Sequence, residues 1–132
     1  MLNGTVNPNN DSPTGTFEYG LTVAYGSTAS ATESPITGTA GTSVSAGLTG
    51  LTPNTTYHFR VSATNSTGTT NGLDRTFTTL PAPPVVTTNP ASGITSSGAT
   101  LNGTVNAKNG STTVTFGYGL TVSYGSTAAA NQ

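Results

Sequence analysis

The side chains able to do acid–base or ligand chemistry in this 132-residue chain are few: Asp11, Glu18, Glu33, Asp74, Arg60, Arg75, Lys108 and a single histidine, His58. General acid–base catalysis by paired carboxylates needs two of them held close with separated pKa values. The four carboxylates are scattered along the sequence, and Glu18 is replaced by Gly117 in a second copy of its surroundings. They read as dispersed solubility charges. One histidine without cysteine does not make a zinc site of the usual kind, and Asp11 and Asp74 lack the alternating acidic spacing of a calcium loop. His58 reads as an outward-facing strand residue beside Arg60. The many Thr and Ser hydroxyls have no general base beside them, so none reads as an activated nucleophile. Gly117-Tyr118-Gly119 is not a phosphate loop, because no helix follows it. The chain is therefore expected to be no enzyme and to hold no cofactor or metal.

Other features have bland readings. Tyr19, Tyr25, Tyr118 and Tyr124 suit a sugar-stacking platform, but sheet core and rim explain them better. Lys108 aligns with Asn9 in a turn, which argues against a buried Lys–Asn crosslink. Asn-x-Ser/Thr sequons begin at Asn3, Asn10, Asn54, Asn65, Asn102 and Asn109, as chance supplies in a sequence this rich in Asn and Thr.

Charged residues are 5% of the chain and net charge is -1, against about 25% charged in an ordinary soluble domain. That balance offers nothing to nucleic acid or an anionic membrane. No apolar run approaches the roughly 18 residues of a membrane span. There is no cysteine, so no disulfide braces the fold. Met1-Leu2 leads straight into a strand pattern, and no signal peptide is read there.

The elements that must position these residues are strands. Leu2, Gly4 and Val6 alternate with polar neighbours; so do Gly15, Phe17 and Tyr19, then Val44, Ala46 and Leu48, then Tyr57, Phe59, Val61 and Ala63. Arg75 to Thr79 closes the series. Each run has an apolar and a hydroxyl-rich face, as antiparallel sheets with one wet side require. Turn signals separate the runs at Asn7-Pro8-Asn9-Asn10, Gly20, Gly26, Thr52-Pro53-Asn54, Asn65 to Gly68 and Asn71-Gly72. Short strands at this spacing predict an all-β sandwich or barrel.

A repeat sets the organisation. Residues 2–31 return at 101–130 with 22 of 30 positions identical, at an offset of 99, a period that fits a tandem array of whole β domains. Prolines 81, 83 and 84 form a stiff spacer, and Val85-Val86 opens the first strand of the next unit. Pro90 and Gly93 interrupt it, as at a sheet edge.

Residues 48–64, LTGLTPNTTYHFRVSAT, resemble the E–F corner and F strand of a fibronectin type III domain, on Leu48, Leu51, Pro53, Tyr57, Phe59 and Val61. The likeness implies an immunoglobulin-like antiparallel β-sandwich. It also implies that Tyr57 is a tyrosine corner whose hydroxyl bonds to backbone upstream. LNGTVNP…TFEYG…YGST is similar to the B, C and C′ strands of bacterial members, although the Trp often found on strand B is replaced by Leu2 or Leu101.

In these terms residues 1–80 are a unit lacking its first strand, 81–84 a linker, and 85–132 the A, B, C and C′ strands of the next. Val85, Val86, Leu101, Val105, Phe116 and Tyr118 are then candidate inter-subunit residues, because little of their own unit covers them. The expected partners are copies of the chain or adjacent repeats, with surface polysaccharide as a further candidate. The expected function is an extracellular, cell-surface stalk or filament, with inter-chain strand complementation as one route to assembly. The alternative expectation is a spacer or weak carbohydrate-binding module of a secreted polysaccharide-degrading enzyme.

Overall fold

The computed structural model describes residues 1–131 and, among them, contains eleven strands and no helix. The chain divides into two compact units, Met1–Leu80 and Pro81–Gln132.

The first unit carries β1 (Leu2–Val6), β2 (Thr14–Gly20), β3 (Ser27–Ser30), β4 (Thr42–Ala46), β5 (Thr56–Asn65), β6 (Gly68–Asn71) and β7 (Arg75–Thr78). β1 and β4 pair as one antiparallel sheet. The other runs β3-β2-β5, with β6 and β7 both paired to β5. The apolar faces read from the sequence meet between these sheets. Leu2, Val6, Val44 and Ala46 come from the smaller sheet and Phe17 from the larger, closed by Ala31 and Ile36. Phe59, Val61, Ala63 and Phe77 pack against that cluster. The backbones approach closely here: Val61 Cγ1 lies 3.2 Å from where a Cβ on Gly4 would stand. The arrangement is an all-β, antiparallel fold of immunoglobulin-like sandwich type. Phe17, Ile36 and Val44 are sealed from solvent, each such burial contributing about 1.5–3 kcal/mol.

Aromatic rings extend the core toward the β4–β5 connection. Phe17 and Phe59 ring centroids are 6.5 Å apart, Phe59 meets Phe77 edge-on at 5.9 Å, and Phe77 stacks on Tyr57 at 5.6 Å. The Tyr57 hydroxyl accepts a hydrogen bond from the backbone N–H of Thr52 at 3.1 Å, so a buried ring keeps its polar tip satisfied. Leu48, Leu51 and Pro53 lie half-buried along this corner.

One stretch differs from its sequence reading. The stretch that holds the turn signals at Asn65 to Gly68 and Asn71-Gly72 carries no strand pattern, yet β5 runs to Asn65 and turns directly into β6. The Asn65 side-chain oxygen accepts from Thr67 N–H, Thr67 hydroxyl and Gly68 N–H at 3.0, 2.7 and 3.1 Å. That side chain substitutes for backbone acceptors and closes a tight hairpin. β6 has no buried residue, so hydrophobic alternation could not mark it. The edge along β5 then breaks at Gly72, whose N–H donates to Val61 C=O at 2.8 Å, and β7 resumes it.

The second unit carries β8 (Val85–Ser92), β9 (Thr100–Asn106), β10 (Thr115–Tyr118) and β11 (Ser126–Ala129). β8 pairs with β9 and β10 with β11, both antiparallel. β8 runs through Pro90, and its register shifts between Asn89 and Ser92, a bulge where Pro has no N–H to offer the ladder.

Candidate functional site

The register of the larger sheet in the first unit gathers residues that are far apart in sequence. β2 and β5 pair so that Glu18 faces Arg60 and Gly20 faces His58. Residues directly opposite in an antiparallel pair share a face, so all of these project outward. Arg60 Nε donates to Glu18 Oε2 at 2.5 Å. The turn after β2 swings Tyr25 over this pair, with the Arg60 guanidinium carbon 4.8 Å from the ring centroid, within cation–π reach. The break between β6 and β7 brings Asp74 to the same place. Tyr25 hydroxyl donates to Asp74 Oδ1 at 3.0 Å, and His58 Nδ1 lies 2.8 Å from Asp74 Oδ2. Five side chains from four elements form one connected group.

The sequence reading is refined at His58 and corrected at two carboxylates. His58 does face outward on its strand beside Arg60, as read, but it is tied down there by its contact with Asp74, with 29% of its side chain exposed. Glu18 and Asp74 are not dispersed charges, because both belong to this group. Glu18 and Arg60 are separated by 42 residues and Tyr25 and Asp74 by 49. Sequence shows such partners only once strand register is known.

A local device places Tyr25. Its backbone has φ of 57°, a left-handed conformation that bulky residues seldom adopt. Its carbonyl oxygen would lie 1.6 Å from a Cβ on Gly20, so only glycine fits at the end of β2. Tyr25 N–H donates to Thr22 C=O at 2.9 Å and closes the turn.

The electrostatics are those of mutual bracing. The hydrogen bond from His58 is the main cause holding the Asp74 carboxyl below the usual carboxylate range, with the Tyr25 hydroxyl adding to it. Desolvation, then the hydrogen bond to Asp74, raises the Tyr25 phenol. The bond to Glu18 raises the Arg60 guanidinium. Glu33 braces the other sheet separately: it accepts from Ser45 N–H at 2.7 Å and Ser45 hydroxyl at 3.0 Å, and the backbone bond lowers its pKa.

A histidine oriented by an aspartate is one part of a nucleophilic triad. The third part is a hydroxyl or thiol bonded to that histidine, and the nearest hydroxyl of this group, Tyr25, is bonded to Asp74 instead. Metal-assisted hydrolysis needs several converging ligands. Among the described residues no three of His, Cys, Asp and Glu come together to hold an ion. The arrangement can stiffen a face and fix a turn.

The remaining residues singled out in the sequence fall elsewhere. Tyr57, Phe59, Val61, Leu48, Leu51 and Pro53 line the core and the β4–β5 corner of the first unit. Val85, Val86, Leu101, Val105, Phe116 and Tyr118 are in the second. Val85, Val86 and Tyr118 are 55%, 68% and 49% exposed, and the other three are half-buried. Among the described residues no helix is long and apolar enough to cross a membrane.

Residues 5–79 match the family described as purple acid phosphatase, N-terminal domain. No curated protein and no solved structure matches the chain. The family match overturns the expected stalk or filament, since it points to a phosphatase-family domain. It equally gives no support to a module of a polysaccharide-degrading enzyme.

Proposed function

The chain belongs to the purple acid phosphatase N-terminal domain family, and on that premise we propose that its first unit is a non-catalytic accessory domain of a phosphatase. The observation that carries this reading is the extent of the match. It spans residues 5–79, nearly the whole of the compact unit Met1–Leu80. In build the unit is fibronectin type III-like, with Tyr57 as its corner. Its contribution is a rigid face beside the phosphatase chemistry, stiffened by the Glu18–Arg60–Tyr25–Asp74–His58 group. The polar groups on that face satisfy one another, which suits a support better than a reaction centre.

The test is an assay of the full chain on a phosphate monoester such as p-nitrophenyl phosphate, alongside His58→Ala and Asp74→Ala. The expected result is no turnover above buffer in any of the three. Turnover in the natural chain that disappears in either variant would overturn the reading.

A further inference from the structure

We propose that Tyr25 is a lid over Arg60, latched shut by the Asp74 carboxylate and opened when that carboxylate takes up a proton. The latch joins two segments that do not pair with each other: the turn between β2 and β3, and the break between β6 and β7. Tyr25 hydroxyl donates to Asp74 Oδ1 at 3.0 Å, and His58 Nδ1 meets Asp74 Oδ2 at 2.8 Å. One carboxylate thus ties the turn to β5. It holds the phenol ring over the Arg60 guanidinium, whose carbon lies 4.8 Å from the ring centroid.

The second unit separates the turn from the latch. Tyr124 repeats the turn: its φ is 59° against 57° at Tyr25, and the N–H of each donates to a threonine carbonyl, Thr121 or Thr22, at 2.9 Å. No Asp or Glu follows Leu80 in the sequence, so the backbone of this turn needs no carboxylate. That leaves the position of the ring as what Asp74 decides. Tyr124 is 58% exposed, and its Cγ lies 3.5 Å from where a Cβ on Gly117 would stand. Tyr25 is half-buried and covers Arg60 instead.

Proton uptake weakens both contacts of the latch together, because hydrogen bonds to an ionised carboxylate are roughly twice as strong as neutral ones. The Asp74 side chain is 34% exposed, so protons reach it from solvent. The charged or titratable groups around it are Tyr25 from the turn, His58 and Arg60 from β5 and Glu18 from β2, with Arg75 next in the chain. Glu18 is engaged by Arg60. The bond from His58, then that from Tyr25, holds the Asp74 carboxyl below its ordinary value. A lowered carboxylate pKa keeps the latch fully shut above about pH 4 and opens it as pH falls through the folded value. Opening bares the guanidinium face of Arg60.

The test is NMR on the full chain, reading the Arg60 side-chain protons, which the ring above them shifts upfield. Titration from about pH 7 to about pH 2.5 should abolish that shift below about pH 4, while the amide signals of the sealed residues Phe17 and Val44 persist. Asp74→Ala removes the acceptor, and Tyr25→Phe removes the donor but keeps the ring. Each should lose the shift already at neutral pH. The Tyr124 ring signals should stay flat throughout. Retention of the shift in either variant at neutral pH would overturn the proposal. So would an acid loss that comes only together with the Phe17 and Val44 signals, or a Tyr124 ring that moves in parallel with Tyr25.

Discussion

The two units hold nearly the same thirty residues in two different states of burial. Leu2, Val6 and Phe17 are 3%, 7% and 0% exposed, while Leu101, Val105 and Phe116 are only half-buried. Local structure barely differs. Asn9 and Asn10 have φ of 53° and 66°, and Lys108 and Asn109 have 51° and 64°; Tyr25 and Tyr124 have 57° and 59°. Turns and strands are thus written in the block itself, while its core is completed by Ile36, β4, β5 and β7. Sequence identity fixes conformation at short range and leaves burial to whatever packs on top.

The largest way to break this comparison is to cut the same ring in both places. Phe17→Ala should cost the first unit about 3–5 kcal/mol, because it removes a sealed ring and leaves a cavity. Phe116→Ala should cost the second unit a small fraction of that, since little covers the ring. Denaturant unfolding of each variant, read at amides of each unit, checks the ratio, and equal losses would count against the account.

A change at the shared turn should instead affect both units alike. A Cβ on Gly20 or on Gly119 would lie 1.6 Å from the carbonyl oxygen of Tyr25 or Tyr124. Gly20→Ala and Gly119→Ala should each distort their own turn at a cost of about 1–3 kcal/mol. Loss of the Tyr25 or Tyr124 amide signal from its native position would report it.

A feature confined to the first unit is the corner bond. Tyr57→Phe deletes the acceptor for Thr52 N–H and should cost about 1 kcal/mol, with the second unit unaffected. A thermal scan with residue-resolved detection would show whether the loss stays on one side of Leu80.

The smallest expected difference is in acid. All four carboxylate side chains, Asp11, Glu18, Glu33 and Asp74, lie before Leu80. Asp74 and Glu33 have folded-state pKa values below their ordinary ones. A depressed pKa means stability that is full above the unfolded value, near 4, and lost as pH falls through the folded value. Titrating from pH 6 to pH 2 should therefore weaken the first unit modestly and leave the second flat. Equal slopes would show that these two carboxylates contribute nothing to the difference.

Much of the fold was legible because its core strands alternate cleanly. Phe17 and Val61 each announce an inward face by their neighbours, and Tyr57 with Leu51 and Pro53 marks the corner. The hidden parts were those that alternation does not encode. β6 is exposed throughout and is set by the Asn65 side chain, so it looked like loop. The group of Glu18, Tyr25, His58, Arg60 and Asp74 depends on the β2–β5 register and on where the edge breaks after Gly72. Its members looked dispersed until those strands were paired. Function was misread for a different reason: weak charge and repetition describe a surface, and they do not distinguish a filament from a phosphatase domain.

The most direct test of the central claim is amide hydrogen exchange on the full chain, comparing β1 and β2 with β9 and β10. The account predicts that Leu2, Val6 and Phe17 exchange only through opening of the whole first unit. Leu101, Val105 and Phe116 should exchange faster by about a hundredfold or more. Equal protection at the paired positions would mean that the repeated block builds its own core, and would contradict the claim that Ile36, β4, β5 and β7 complete it.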